Sequence, residues 1–132
     1  MGEREASCSC GQLRVIATGE PVRVSICHCL ACQRRTGSSY GYQARFPQDR
    51  VRISGESREY TRRSDGEGAV RTSGFCPQCG STVFWRGEDS PGLIGVAAGA
   101  FADPEFPAPT RSVWEEREHS WVILPPDVEH IH

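Results

Sequence analysis

The chain has 132 residues, 37% of them hydrophobic, enough for one domain folding on its own core. Fifteen basic against seventeen acidic residues leave −2, which excludes the strong basic excess of a nucleic-acid footprint. No apolar run nears the ~20 residues that span a bilayer, and no apolar signal region follows the charged start, so the expected location is the cytoplasm.

In chain order the reading is of strands. Residues 13–17 and 22–26 are strand-like, the second with clean alternation, and are joined across Gly19-Glu20-Pro21. One short helical turn is expected over residues 30–35. Residues 40–46 alternate up to Pro47, and Val51-Arg52-Ile53 meets Gly55. Residues 59–63 are polar and run to Asp65-Gly66-Glu67-Gly68, an expected hairpin tip. Strands follow at 70–75 and 82–85. The continuous Gly- and Ala-rich apolar run 93–100 predicts a buried central strand. Residues 103–109 hold three prolines and read as a loop, 111–114 as a last strand, and about 125–132 as a loose tail. The expectation is a mostly β, largely antiparallel single domain over residues 1–132.

Cysteine is the informative residue. Seven thiols in a chain without an export signal make a poor disulfide framework. They fall in three tight clusters: Cys8-Ser9-Cys10, Cys27-His28-Cys29-Leu30-Ala31-Cys32 and Cys76-Pro77-Gln78-Cys79. Thiols one or two residues apart can aim at one point, as a soft metal requires. A closed structural zinc takes four protein ligands, whereas a catalytic zinc takes three. The central triplet is too dense to be shared between distant ions, which leaves two plus two. Cys8, Cys10, Cys76 and Cys79 are therefore expected to hold a structural zinc, each pair followed by a turn-forming glycine, Gly11 and Gly80. Cys27, Cys29 and Cys32 are expected to hold a second zinc with an open position, giving two ions per chain.

Alternatives stay open on the residues alone. The thiols can be free and buried. The triplet can form a second closed site completed by His28 or His119, or a redox pair with a spare thiol. His28, between two ligands, is expected to point away from the ion they share. His130 and His132 read as an exposed terminus rather than a metal site.

The three cysteine clusters, with Arg34-Arg35-Thr36-Gly37-Ser38 after the second, resemble the glutathione-dependent formaldehyde-activating (Gfa/CENP-V) family. The late Ala97-Ala98-Gly99-Ala100-Phe101-Ala102-Asp103-Pro104 segment and the Trp114…Trp121 spacing are similar too. The resemblance covers nearly the whole chain. It implies a β-tent fold with one structural and one catalytic zinc, and a carbon–sulfur lyase activity, S-(hydroxymethyl)glutathione synthase. Its expected partners are a small thiol, glutathione, and an aldehyde, formaldehyde.

The chemistry narrows the contacts. All fifteen basic residues are arginine; with no lysine, Schiff-base catalysis is excluded and anion recognition falls to guanidinium forks. Arg34 and Arg35 are the expected partners of glutathione's two carboxylates, and His28 or Tyr40 the expected proton donor. Two rivals carry other predictions. A non-catalytic zinc module that binds a protein would show a fourth ligand at the triplet. A nucleic-acid zinc ribbon would use Arg34-Arg35 and Arg62-Arg63, against the acidic balance.

Overall fold

The computed structural model describes residues 2–63 and 69–131. The expected hairpin tip at residues 65–68 lies outside them, as does His132. The described strands are β1 (Glu3–Ser7), β2 (Arg14–Thr18), β3 (Arg23–Cys27), β4 (Gly41–Pro47), β5 (Val51–Ser54) and β6 (Arg58–Arg63). They continue with β7 (Val70–Phe75), β8 (Thr82–Gly87), β9 (Leu93–Ala97), β10 (Arg111–Val113) and β11 (Glu129–Ile131). A single α-helix among the described residues, α1 (Leu30–Thr36), leaves the end of β3.

Two sheets form. A small one runs β1-β2-β5, and a large one runs β11-β10-β3-β4-β9-β8-β7-β6. Most neighbours are antiparallel. β10 is the exception: it lies parallel to both β3 and β11, so the large sheet is mixed. The segment 114–128 between β10 and β11 is long enough for the crossover that a parallel pairing requires.

Strand alternation decides what each face carries. Val24 of β3, Ala44 and Phe46 of β4, and Ile94 and Val96 of β9 share one face of the large sheet. Ala6, Val15 and Ala17 of the small sheet close over that face, and the resulting core includes Leu13, Phe101 and Phe106. Residues of the opposite parity (Arg23, Ser25 and Cys27 on β3; Gln43 and Arg45 on β4) face the other way. Ser25, Gln43 and Arg45 are nevertheless buried. The large sheet therefore has one apolar face and one sheltered polar face.

Two cross-strand pairs combine a ring with a glycine. Phe84 lies over Gly74 and Trp85 over Gly95, each ring covering its directly paired glycine. The Arg35 guanidinium then stacks on the indole, 4.7 Å from the ring centroid. A stack of Gly95, Trp85 and Arg35 thus braces α1 against the polar face.

Two expectations change, and one strand, β1, was not expected. The run 93–100 is not one strand: β9 stops at Ala97, and Ala98–Phe101 forms a 3-10 turn ending in left-handed Ala102. The turn carries Phe101 onto Phe106, with ring centroids 4.7 Å apart, and that burial prevails over strand propensity. The charged start forms β1, an edge strand stitched by Arg4–Glu20, Arg14–Glu5 and Arg52–Glu3 pairs. The expected loose tail is ordered where β11 pairs with β10, and Val128 is buried beside it.

A methyl group at Gly95 would sit 2.2 Å from Trp85 Nε1. Gly95→Ala is expected to lower stability by ~1–3 kcal/mol, as overpacking of a filled site does. Thermal denaturation checks this, and an unchanged midpoint would contradict the stacked arrangement.

Candidate functional site

The first cysteine cluster forms where two turns meet. Cys8 and Cys10 lie after β1, and Cys76 and Cys79 lie in the β7–β8 hairpin. Gly11 (φ 85°) and Gly80 (φ 81°) close the two turns in the left-handed region, where glycine carries no Cβ penalty. Cys8 Sγ is 3.6 Å from Cys10 Sγ, which is 3.7 Å from Cys76 Sγ. Tetrahedral zinc with ~2.3 Å bonds sets neighbouring sulfurs ~3.8 Å apart, so the spacing fits. All four sulfurs lie within 4.8 Å of one another, and no disulfide links them.

Donors surround these sulfurs. Leu13 N donates to Cys8 Sγ at 3.3 Å, Gln78 N to Cys76 Sγ at 3.3 Å, and Gln12 Nε2 to Cys76 Sγ at 2.9 Å. The Ser81 hydroxyl, 3.4 Å from Cys79 Sγ, and then backbone N–H groups hold that thiol down at about 5. These are the contacts that favour thiolate and keep ligands oriented.

The second cluster sits at the junction of β3 and α1. Cys29 is the N-cap of α1, its Sγ accepting from Cys32 N at 3.4 Å. This half-turn brings Cys29 and Cys32 to Cys27 at the end of β3, with the three sulfurs within 4.8 Å. All three cysteines are buried. Cys27 pairs across the sheet with Gly41, whose missing side chain leaves room for Cys32 Sγ and the Arg35 guanidinium. Hydrogen bonds from Cys27 and Cys29, then the charges of Arg35 and Arg71, hold Cys32 well below the ordinary thiol range. Cys27 is pushed up by the same sharing with Cys29 and Cys32.

Among the described residues, no further Cys, His, Asp or Glu ligand atom joins the triad. His28 turns to the opposite side of the sheet, as expected. It is fully buried, with Nε2 2.9 Å from Ser112 Oγ and 3.4 Å from Glu118 Oε2. His119 is exposed and meets Gln33 Oε1 at 3.0 Å. His130 pairs with Glu115 at 2.6 Å.

The triad opens onto a cavity of about 430 Å³ laid over the polar face of the large sheet. Cys27 and Cys29 stand at one end, and Arg23, Arg45, Arg62, Arg71 and Arg111 line it. Two carboxylates, Asp89 and Glu116, are also on the wall. Arg34 and Arg35 do not line this space. Arg34 is exposed on α1, while half-buried Arg35, with Tyr40, borders a second cavity. Sequence reading missed Arg23, Arg45, Arg71 and Arg111, and named Arg62 only for a nucleic-acid role, although β3 already spelled Arg23-x-Ser25-x-Cys27 with one side-chain parity. What was missing was knowledge of which strands lie beside β3.

In metal-free protein Cys79 is expected to alkylate with a midpoint near pH 5, since its thiolate is favoured on folding. Ser81→Ala removes the hydroxyl contact that lowers this thiol most, so the midpoint should rise toward the ordinary 9.0. An unchanged iodoacetamide pH profile would contradict the assigned cause.

The family model described as glutathione-dependent formaldehyde-activating enzyme matches residues 3–117, which include all seven cysteines and the five cavity arginines. A search of curated proteins gave no match. Among solved structures, the crystal structure of a Rhodobacter sphaeroides protein is similar, with a TM-score of 0.55 at 20% identity. The likeness covers 73% of this chain and 85% of that one, and at this identity it bears on fold alone. With the family's model matching from β1 to the residues beyond β10, the chain belongs to the glutathione-dependent formaldehyde-activating enzyme family.

Proposed function

We propose that the protein is a carbon–sulfur lyase that holds two zinc ions and joins glutathione, or a related thiol, to formaldehyde or a related aldehyde. The product is S-(hydroxymethyl)glutathione, and the same site runs the reverse cleavage. In this reading Cys8, Cys10, Cys76 and Cys79 hold the structural ion, and Cys27, Cys29 and Cys32 the catalytic one. The observation that carries it is a set of three sulfurs, without a fourth protein ligand among the described residues, at the end of a cationic cavity. The rival closed site needs that fourth ligand, and His28 is committed to Ser112 and Glu118 instead.

Zinc held by three thiolates supplies a soft acceptor that takes a further sulfur as thiolate. The remaining work belongs to the chain's own residues. In the condensation the thiol gives up its proton and its sulfur adds to the carbonyl carbon. The C–S bond forms, the carbonyl π pair moves to oxygen, and that oxygen takes up one proton. Guanidiniums on the cavity wall favour the negative charge collecting there. Neither His28 nor Tyr40 lines the cavity, so the proton relay falls to Glu116, which does. Substrate carboxylates likewise fall to the cavity arginines rather than to Arg34 and Arg35. Arg35 acts elsewhere, since its charge, held by stacking on Trp85, favours the Cys32 thiolate.

Exchange NMR with ¹³C-formaldehyde and glutathione tests this reading. Zinc-loaded protein is expected to speed exchange between free aldehyde and thiol adduct above the spontaneous rate. Cys29→Ser should cut that acceleration by ~100-fold or more, given that even outer partners of a zinc site can be worth 10–100-fold. No acceleration by protein carrying both ions would contradict the proposal.

A further inference from the structure

The cavity arginines are not equivalent. Arg71 has Asp89 at 3.1 Å and Arg111 has Glu129 at 3.5 Å, so both carry partners of the chain's own. Among the described residues, the Arg23 guanidinium reaches only the Ser90 hydroxyl, at 3.4 Å. Arg45 is 5% exposed and has no carboxylate within ion-pairing distance among the described residues. Burial, then Arg71 and Arg23, push it down to about 10, so it stays a cation at neutral pH.

This is an unfavourable arrangement for the fold alone. Arg23 and Arg45 are direct cross-strand partners, and like charges facing each other in that way are destabilising. A buried charge without a partner adds to the cost. The arrangement becomes favourable once an anion sits between the two guanidiniums, because a carboxylate can take forked hydrogen bonds from both. The pair lies four residues from Cys27 along β3, ~13 Å between backbone positions at strand rise. Arginine side chains shorten that gap to the length of a small peptide.

Charge matching points the same way. Five guanidiniums against Asp89 and Glu116 leave three positive charges on the cavity wall. A divalent ion with three thiolates contributes one negative charge, leaving two positive. Glutathione bound as thiolate, with two carboxylates and one ammonium, carries a net two negative charges.

We propose that Arg45, with Arg23 across the sheet, anchors a carboxylate at the end of the thiol substrate remote from sulfur and so selects acidic thiols over neutral ones. This rests on reading the triad as the thiol-binding site. It makes Arg45 a binding and specificity residue for a thiol that carries anionic groups.

Calorimetry on zinc-loaded protein provides the test, with S-methylglutathione, whose carboxylates are intact and whose sulfur is capped, and its diethyl ester. The parent is expected to bind the acid at least ~10-fold tighter than the ester, as charge-assisted hydrogen bonds imply. Arg45→Met should lose that preference, Arg45→Lys should keep part of it, and Arg45→Met without ligand should melt no lower than the parent. Equal binding of acid and ester by the parent, or undiminished binding by Arg45→Met, would overturn the assignment. If Arg45→Met does not fold, the esterification comparison in the parent decides.

Exchange NMR with 2-mercaptoethanol separates this inference from the activity it rests on. Equal acceleration for 2-mercaptoethanol and glutathione would leave the chemistry standing and remove the carboxylate anchor. Arg45-dependent binding of S-methylglutathione without any exchange acceleration would leave the anchor and remove the lyase activity.

Discussion

Convergence of sulfur from distant parts of the chain is the constraint on which the rest depends. Cys10 and Cys76 are 66 residues apart, yet their sulfurs lie 3.7 Å from one another. One belongs to the turn leaving β1 in the small sheet, the other to the β7–β8 hairpin in the large one. Bringing four thiols together and burying Cys8 and Cys76 carries both a loop-closure cost and a desolvation cost. Metal binding offsets such costs because its free energy is also folding free energy. The N–H donors of Leu13 and Gln78 and the Gln12 amide already face the sulfurs, so the turns are shaped for thiolate rather than for thiol.

From that tie the polar face acquires its use. Once the small sheet covers one side of β3, β4 and β9, alternation sends every other residue to the far side, where Ser25, Gln43 and Arg45 floor the cavity. The same strand therefore supplies Val24 to the core, Arg23 to the cavity and Cys27 to the triad. Core and cavity draw on opposite parities of one segment, so neither constrains the other residue by residue. Where the demands conflict, at the Arg23–Arg45 pair, the fold accepts like charges side by side, which is where local rules are expected to fail at a functional site.

Much of this was legible in the sequence. Cysteine spacing is local chemistry, so the division into a four-sulfur and a three-sulfur set needed no tertiary knowledge, and both sets assemble as spaced. His28 turning away from its flanking cysteines followed from the alternation of an extended chain. The cavity was not legible, because Arg23, Arg45, Arg71 and Arg111 come from four strands whose adjacency is a tertiary fact. Arg34 and Arg35 drew attention because they follow the triplet in sequence; neither lines the cavity, although Arg35 packs close to Cys32 beside Gly41. Two further departures have the same origin: Phe101 bends the 93–100 run to reach Phe106, and β11 finds its partner only after β10 has crossed over.

The central claim is unequal sharing of seven sulfurs by two zinc ions, and zinc K-edge X-ray absorption on protein carrying both ions measures it directly. The account predicts about 3.5 sulfurs per zinc with no imidazole scattering, rising to about 4 when glutathione saturates the site. A sulfur count that ignores added thiol, accompanied by an imidazole signature, would contradict it.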